Sequence, residues 1–359
     1  MREIGGEFYS YDVIHSNNGN IKIEKETDFV YTLSGRTSID YIIKDILVEY
    51  DIKRAFLPSY CCDCMIEPFL SNGIEVDFYD IYVGETGVLT YNSKQIDDLE
   101  GKNAILLAMD YFGFNRNLVN DIFESVSDGV IKIEDSTHSF FSQKKNNKAM
   151  YDFASIRKWT KFNGLSVCNK IEGEFNIRLN DKCWKGDGLR QEAAILKSEY
   201  IKGNNKNKNT FLELFNTAEK MLDIDYCLYQ ASCEDIRMYN VLDGDLIKKR
   251  RRENASILIE ELKEIPSIDL IYKNLNAEDC PLFVPIIVKG NMRDKLRKHL
   301  IEKDIYCPVH WPLSKYHRFS NTRAIDLYFC ELSLICDQRY SKDDMERIVC
   351  EIKDFFDKI

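Results

Sequence analysis

Three stretches of the 359-residue chain carry side chains whose types and spacing suit chemistry. Residues 130–142 read VIKIEDSTHSFFS, an apolar strand-like run that ends on an ionisable acid, Asp135, with Ser136, Thr137 and His138 behind it. Residues 151–164 read YDFASIRKWTKFNG, a second strand-like run that closes on Ser155, Arg157 and Lys158. A lysine at the end of a buried strand, beside another cation, is neutral more often than a surface lysine, and a neutral amine condenses with an aldehyde. Residues 32–43 read TLSGRTSIDYII and bring Ser34, Gly35, Arg36, Thr37 and Ser38 to the start of a helix, where free N–H groups and the helix dipole attract an anion. Each stretch has a plainer reading: Asp135 as a helix cap, Lys158 as a solvated basic turn, the hydroxyl cluster as an ordinary helix start. Taken together, an anion cradle, a buried acid and a strand-end lysine are the parts needed to hold pyridoxal 5'-phosphate (PLP), with the acid keeping the ring nitrogen protonated.

Positioning them requires strands and helices in alternation. RAFLPSY, IEVDFYDI, NAILLAMDYFG, VIKIEDS and YDFASI are short, rich in apolar and aromatic residues, and bounded by polar or turn residues, which predicts buried strands. Between them, residues 36–50 set Ile39, Ile42, Ile43, Ile46, Leu47 and Tyr50 on one helical stripe. Such alternation predicts an α/β fold with a mainly parallel sheet, whose ligands bind at the carboxyl ends of the strands. Residues 181–225 read as helical around the polar tract KGNNKNKN (202–209), expected to be a mobile loop. The basic run KKRRREN (248–254) is expected to be the solvated start of a long helix. SIDLIYK, PLFVPIIVK, an amphipathic helix at 292–303 and a final helix at 341–359 then predict a smaller α+β domain.

Composition narrows the alternatives. No apolar run approaches the roughly 20 residues that cross a bilayer, and nothing at the N-terminus reads as an export signal, so a cytoplasmic protein is expected. A net charge of −10 disfavours general nucleic-acid binding. Twelve cysteines scattered over a long chain are expected to be reduced; Cys61, Cys62 and Cys64 lack the CxxC spacing of a zinc site, and no metal is expected.

The chain also resembles a known family. LSGRTSIDYII, FLPSYCCDCMIEPFLSNGIEVDFYDI, DYFGF, IEDSTHSFFS, ASIRKW, KKRRRENASIL and the ending from YCPVHWP to DQRYSKDDMERI resemble the DegT/DnrJ/StrS sugar aminotransferases of fold type I, from about Ser34 onward. That resemblance implies a fold type I transferase: a seven-stranded-type sheet in a large PLP-binding domain (27–245), a small C-terminal domain (246–359), and an N-terminal segment (1–26) packing on the small domain or on a partner subunit. It implies a homodimer that transfers an amino group, usually from glutamate, to a keto-sugar carried on a nucleotide, for surface polysaccharides or related sugars. It implies Lys158 as the Schiff-base lysine, Asp135 as the partner of the pyridine nitrogen, Gly35, Arg36, Thr37 and Ser155 as phosphate contacts, and His138 at the ring or its hydroxyl. Tyr60 or Cys62 falls where the family has an aromatic stacked on the ring. The sequence departs from the family in three places. Lys161 lies close enough to Lys158 to compete for the Schiff-base role. The glycine-rich turn after the lysine is reduced to KFNGL. YQASCEDIRMYN stands where an Asn-Tyr-Arg motif usually reaches the partner's phosphate. Sugar dehydratases of the family replace the lysine with histidine, so Lys158 points to transamination. A PLP enzyme with another outcome, a non-catalytic PLP-binding protein and a thiol or metal protein are the rival readings.

Overall fold

The strongest apolar runs become strands of one sheet in the computed structural model, which describes residues 3–9, 28–97, 99, 103–114, 117–142, 148–204 and 207–358. The strands are β1 (Asp28–Thr32), β2 (Arg54–Pro58), β3 (Glu75–Tyr79), β4 (Ala104–Met109), β5 (Ile131–Asp135), β6 (Tyr151–Ser155) and β7 (Ser166–Lys170). They pair in the order β1-β7-β6-β5-β4-β2-β3. Only β7 runs against the rest, antiparallel to both β1 and β6. β4, β5 and β6 are buried at every residue; β4 (AILLAM) is a continuous apolar run, whereas β5 (IKIED) and β6 (YDFAS) bury Lys132, Glu134, Asp135 and Asp152 among their apolar side chains.

Helix α1 (Gly35–Glu49) starts where Ser34 Oγ accepts the Thr37 N–H at 3.1 Å, and it buries Ile39, Ile42, Ile43 and Ile46. The predicted stripe overruns by one residue: Tyr50 caps the helix and is exposed. Helix α2 (Asp63–Ser71) follows β2. Helices α3 (Asp187–Ile201) and α4 (Lys208–Ile224) pack on each other. The polar tract at 202–209 joins them, and its residues 205 and 206 lie outside the described residues.

Helix α5 (Gly244–Leu262) begins before the basic run, with Asp243 accepting the Leu246 N–H at 2.9 Å. The run is therefore mid-helix and not wholly solvated. Arg251 is 1% exposed and donates to the carbonyls of Pro281, Leu282 and Trp159, while Asn254 donates to those of Cys336, Asp337 and Tyr340. Reading charge as exposure failed because backbone carbonyls from two neighbouring segments satisfy the guanidinium. Strands β8 (Ile268–Leu270), β9 (Phe283–Val288) and β10 (Glu331–Ile335) form an antiparallel sheet packed with α5, helix α6 (Arg293–Glu302) and helix α7 (Lys342–Phe356). Buried apolar side chains run from Ile39 of α1 and Ile105 of β4 to Leu334 of β10 and Ile352 of α7 in one cluster. The N-terminal pair Ile4–Gly5 joins Ile305–Tyr306 in parallel; residues 10–27 lie outside the described residues.

Candidate active site

β1, β2, β4, β5 and β6 all end on the same edge of the sheet, so the segments that follow them converge there. They enclose a cavity of about 860 Å³ lined by Gly35, Arg36, Cys62, Asp135, His138, Ser155 and Lys158, with Arg157, Glu219 and Trp311 among its other walls. Residues separated by 123 positions in sequence thus face one space, large enough for a cofactor and a small ligand.

Asp135 is the last residue of β5 and is 4% exposed. Burial pushes its carboxyl up to about 6, against hydrogen bonds from Thr137 and the positive charge of Lys158. Its Oδ1 accepts the Thr137 N–H at 2.8 Å, so it does close a turn, although no helix follows. The capping and cavity readings are therefore both physically present. Lys158 is exposed within the cavity and makes no hydrogen bond or ion pair with the described residues. Lys161 is elsewhere. It is 4% exposed, donates to Gln191 Oε1 and does not line the cavity, so only one of the two lysines faces Asp135.

His138 is fixed by the preceding turn. Gly113 has φ +84°, and a Cβ there would sit 2.0 Å from the Cys280 carbonyl oxygen, so only glycine fits. Phe112 beside it donates its N–H to His138 Nδ1 at 3.3 Å. Burial, His310 and Lys158 together hold the imidazole well below its ordinary value, neutral, with Nε2 left as the donor. Trp311 lies nearly parallel to the ring, centroids 5.7 Å apart.

At the cradle, the Gly35 and Arg36 N–H groups occupy the first turn of α1 and have no intrahelical acceptor. Gly35, Arg36 and Ser155 line the cavity, but Thr37 does not: its N–H and hydroxyl are held by Ser34, 3.1 and 2.9 Å away. Thr37 shapes the helix start rather than presenting itself. Arg36 is already paired with Asp223 at 3.0 Å and Glu67 at 3.4 Å, and Arg157 is paired with Glu219. Burial opposes charge on Glu219, yet Arg157 and Arg190 hold its carboxyl down at about 2. Glu219 and Asp223, four apart on α4, were not singled out from sequence; an i,i+4 acid pair is the signal that was there.

The segment after β2 turns its two candidate residues different ways. Cys62 lines the cavity, and Tyr60 does not. Tyr60 is fully buried, donates to Glu331 Oε2 at 3.2 Å and packs edge-on against Tyr328. Tyr111 bonds the Tyr60 carbonyl at 2.6 Å and Tyr328 the Ser59 carbonyl at 2.6 Å, clamping the segment so that Cys62 and Cys64 face inward. Glu331 accepts from Ser333 and from the His310 N–H; burial nevertheless raises its carboxyl to about 7. His310 Nδ1 meets Ser333 Oγ at 2.8 Å, and the segment 311–316 that follows walls the cavity. Sequence reasoning missed this segment as a site element, having quoted HWP only for its resemblance. Among the described residues no cluster of three or more histidine, cysteine, aspartate or glutamate side chains could hold a metal ion.

No protein-family model and no curated protein matches the chain. Solved structures do. A DegT DnrJ EryC1 StrS aminotransferase from Brucella abortus is 16% identical with a TM-score of 0.59, over 91% of this chain and 85% of that one. PseC of Helicobacter pylori, an aminotransferase involved in the biosynthesis of pseudoaminic acid, is 13% identical with a TM-score of 0.63, over 92% and 87%. An E. coli GDP-4-keto-6-deoxy-D-mannose-3-dehydratase with bound hydrated PLP is 15% identical with a TM-score of 0.61, over 90% and 87%. At these identities the likeness establishes the fold, an α/β fold of PLP-dependent enzymes, over most of the chain.

Proposed function

We propose that this chain is a PLP-dependent aminotransferase acting on a nucleotide-linked keto-sugar, with glutamate as amino donor. The observation that carries the reading is the convergence of Asp135, Lys158, His138 and the α1 N-terminus on one cavity, in a fold shared with sugar aminotransferases. The residues present fit the cofactor. A buried carboxyl facing a free amine, next to unpartnered helix N–H groups, is a donor and acceptor set matched to a ring nitrogen, an aldehyde and a phosphate.

PLP, when bound, supplies an aldehyde that exchanges amines and a ring that accepts electron density. The protein's part is to orient and to move protons. Gly35 and Arg36 N–H groups with Ser155 bind the phosphate. Asp135, ionised above about pH 6, holds a proton on the ring nitrogen. His138 donates from Nε2 while its Nδ1 stays on Phe112. Lys158 Nζ would hold the aldehyde, and the same amine would move a proton at the substrate carbon. Cys62 stands in the cavity wall, where the resemblance would give a stacked aromatic.

Dehydration is the second reading, since a dehydratase shares the fold at a similar TM-score. Lys158 argues against it, because the resemblance gives dehydratases a histidine there. We place the protein in the cytoplasm, in surface-polysaccharide or related sugar biosynthesis, as a homodimer. No helix among the described residues is long and apolar enough to cross a membrane. The division into 27–245 and 246–359 is supported by the two separate sheets. Purified protein mixed with PLP and glutamate should show the aldehyde absorbance replaced by that of the amine form; no conversion with any amino donor would sink the aminotransferase reading. Sedimentation at micromolar concentration tests the dimer, and a fully active monomer would rule it out.

A further inference from the structure

Cys62 and Cys64 are both partly exposed, both line the cavity and both are free thiols. Cys62 is the N-cap of α2 and Cys64 the second residue of that helix, so the free N–H groups of the nine-residue helix surround the pair with positive potential. Two cations of the cavity act on Cys64 as well. The neighbouring Cys62 thiol, then Arg36 and Lys158, lower the Cys64 thiol against the effect of burial, while the neighbouring Cys64 thiol and burial raise Cys62. A lowered thiol beside a raised one, both in the cavity wall at a helix start, is the arrangement of a reactive dithiol. Cys61 takes no part. It is fully buried, and its Sγ lies 3.6 Å from His317 Nε2.

We propose that Cys62 and Cys64 form a reversible redox pair, a modification site for hydroperoxides in the wall of the cavity. Residues two apart at a helix start lie roughly 5–6 Å apart between Cα atoms, within the span that a disulfide bridges. In the first step the Cys64 thiolate attacks one oxygen of hydrogen peroxide. An S–O bond forms, the O–O bond breaks, and the departing hydroxide takes a proton to become water. In the second step Cys62, its proton passing to the leaving oxygen, attacks the Cys64 sulfur; the S–S bond forms, the S–O bond breaks and a second water leaves. The two thiols lose two electrons and one peroxide becomes two waters. A dithiol reductant reverses the result by exchange. None of this depends on the cofactor assignment.

The test uses the purified full-length chain at pH 7, treated with a small excess of hydrogen peroxide, blocked with iodoacetamide and digested with trypsin. The peptide 55–94 should lose two hydrogens, with fragmentation assigning the bond to Cys62 and Cys64, and dithiothreitol should restore it. Cys64→Ser should slow oxidation of the peptide about tenfold or more. Cys62→Ser, checked for folding by circular dichroism, should leave Cys64 as a sulfenic acid captured by dimedone. Oxidation that begins at the exposed Cys183, Cys227, Cys233 or Cys350, a bond to Cys61, or a pair that stays reduced would overturn the proposal.

Discussion

Replacing Asp135 with asparagine separates its two roles. As a turn residue it accepts the Thr137 N–H, and asparagine can still do that. As a buried charge it costs stability: lifting a carboxyl from 3.8 to about 6 corresponds to up to about 3 kcal/mol at roughly 1.4 kcal/mol per pH unit. The sign follows from the raised value. The folded state holds the proton more tightly than the unfolded chain, so stability falls as pH rises from about 4 to about 6 and stays low above that. Asp135→Asn should therefore be more stable than wild type at pH 7, and its stability should fall less than wild type's across that window. Without the carboxylate, however, the proton on the ring nitrogen loses its partner. The half-reaction with glutamate should slow on the order of a hundredfold or more, a few kcal/mol of barrier. Urea denaturation at pH 4, 5, 6 and 7 gives the first result, and stopped-flow absorbance with PLP and glutamate the second. A variant less stable by about 1 kcal/mol that still converts at the wild-type rate would show that Asp135 is a turn residue and nothing more.

Lys161→Ala removes a buried ammonium bonded to Gln191 and should leave PLP absorbance and half-reaction rate within about twofold of wild type, as expected of a group outside the cavity. A colourless Lys161→Ala protein that is still folded would contradict this placement. Glu331 is held protonated well above 4.5, so it contributes stability that is complete at low pH and lost as pH rises towards about 7. Glu331→Gln should match wild type at pH 4 and exceed it at pH 8 by up to about 3 kcal/mol in urea denaturation, and identical pH profiles would refute the assignment.

Most of the large sheet was legible because β4, β5 and β6 are short segments rich in β-branched, aromatic or other apolar residues and bounded by turn residues, β4 without a polar residue in it. Asp135 and Lys158 were legible for a related reason. A charged group at the end of such a run must sit at the carboxyl edge, where function resides. What could not be read depended on contacts distant in sequence. Tyr60 and Cys62 are two residues apart, and their orientation is decided by Tyr111 and Tyr328, which are 51 and 269 positions from the carbonyls they clamp. Arg251 looked solvated because its carbonyl acceptors come from Trp159 and from Pro281 and Leu282. The resemblance implied Thr37 as a phosphate contact, but Ser34 Oγ accepts its N–H and lies 2.9 Å from its hydroxyl, and Thr37 does not line the cavity.

The claim that most needs testing is that Lys158 is the amine that holds the cofactor. Protein reconstituted with PLP, reduced with borohydride and mapped by peptide mass should carry the pyridoxyl group on Lys158, with the yellow colour lost on reduction and with no PLP fixed by Lys158→Ala. Label on Lys161 or another lysine, or a chain that binds no PLP, would contradict the account.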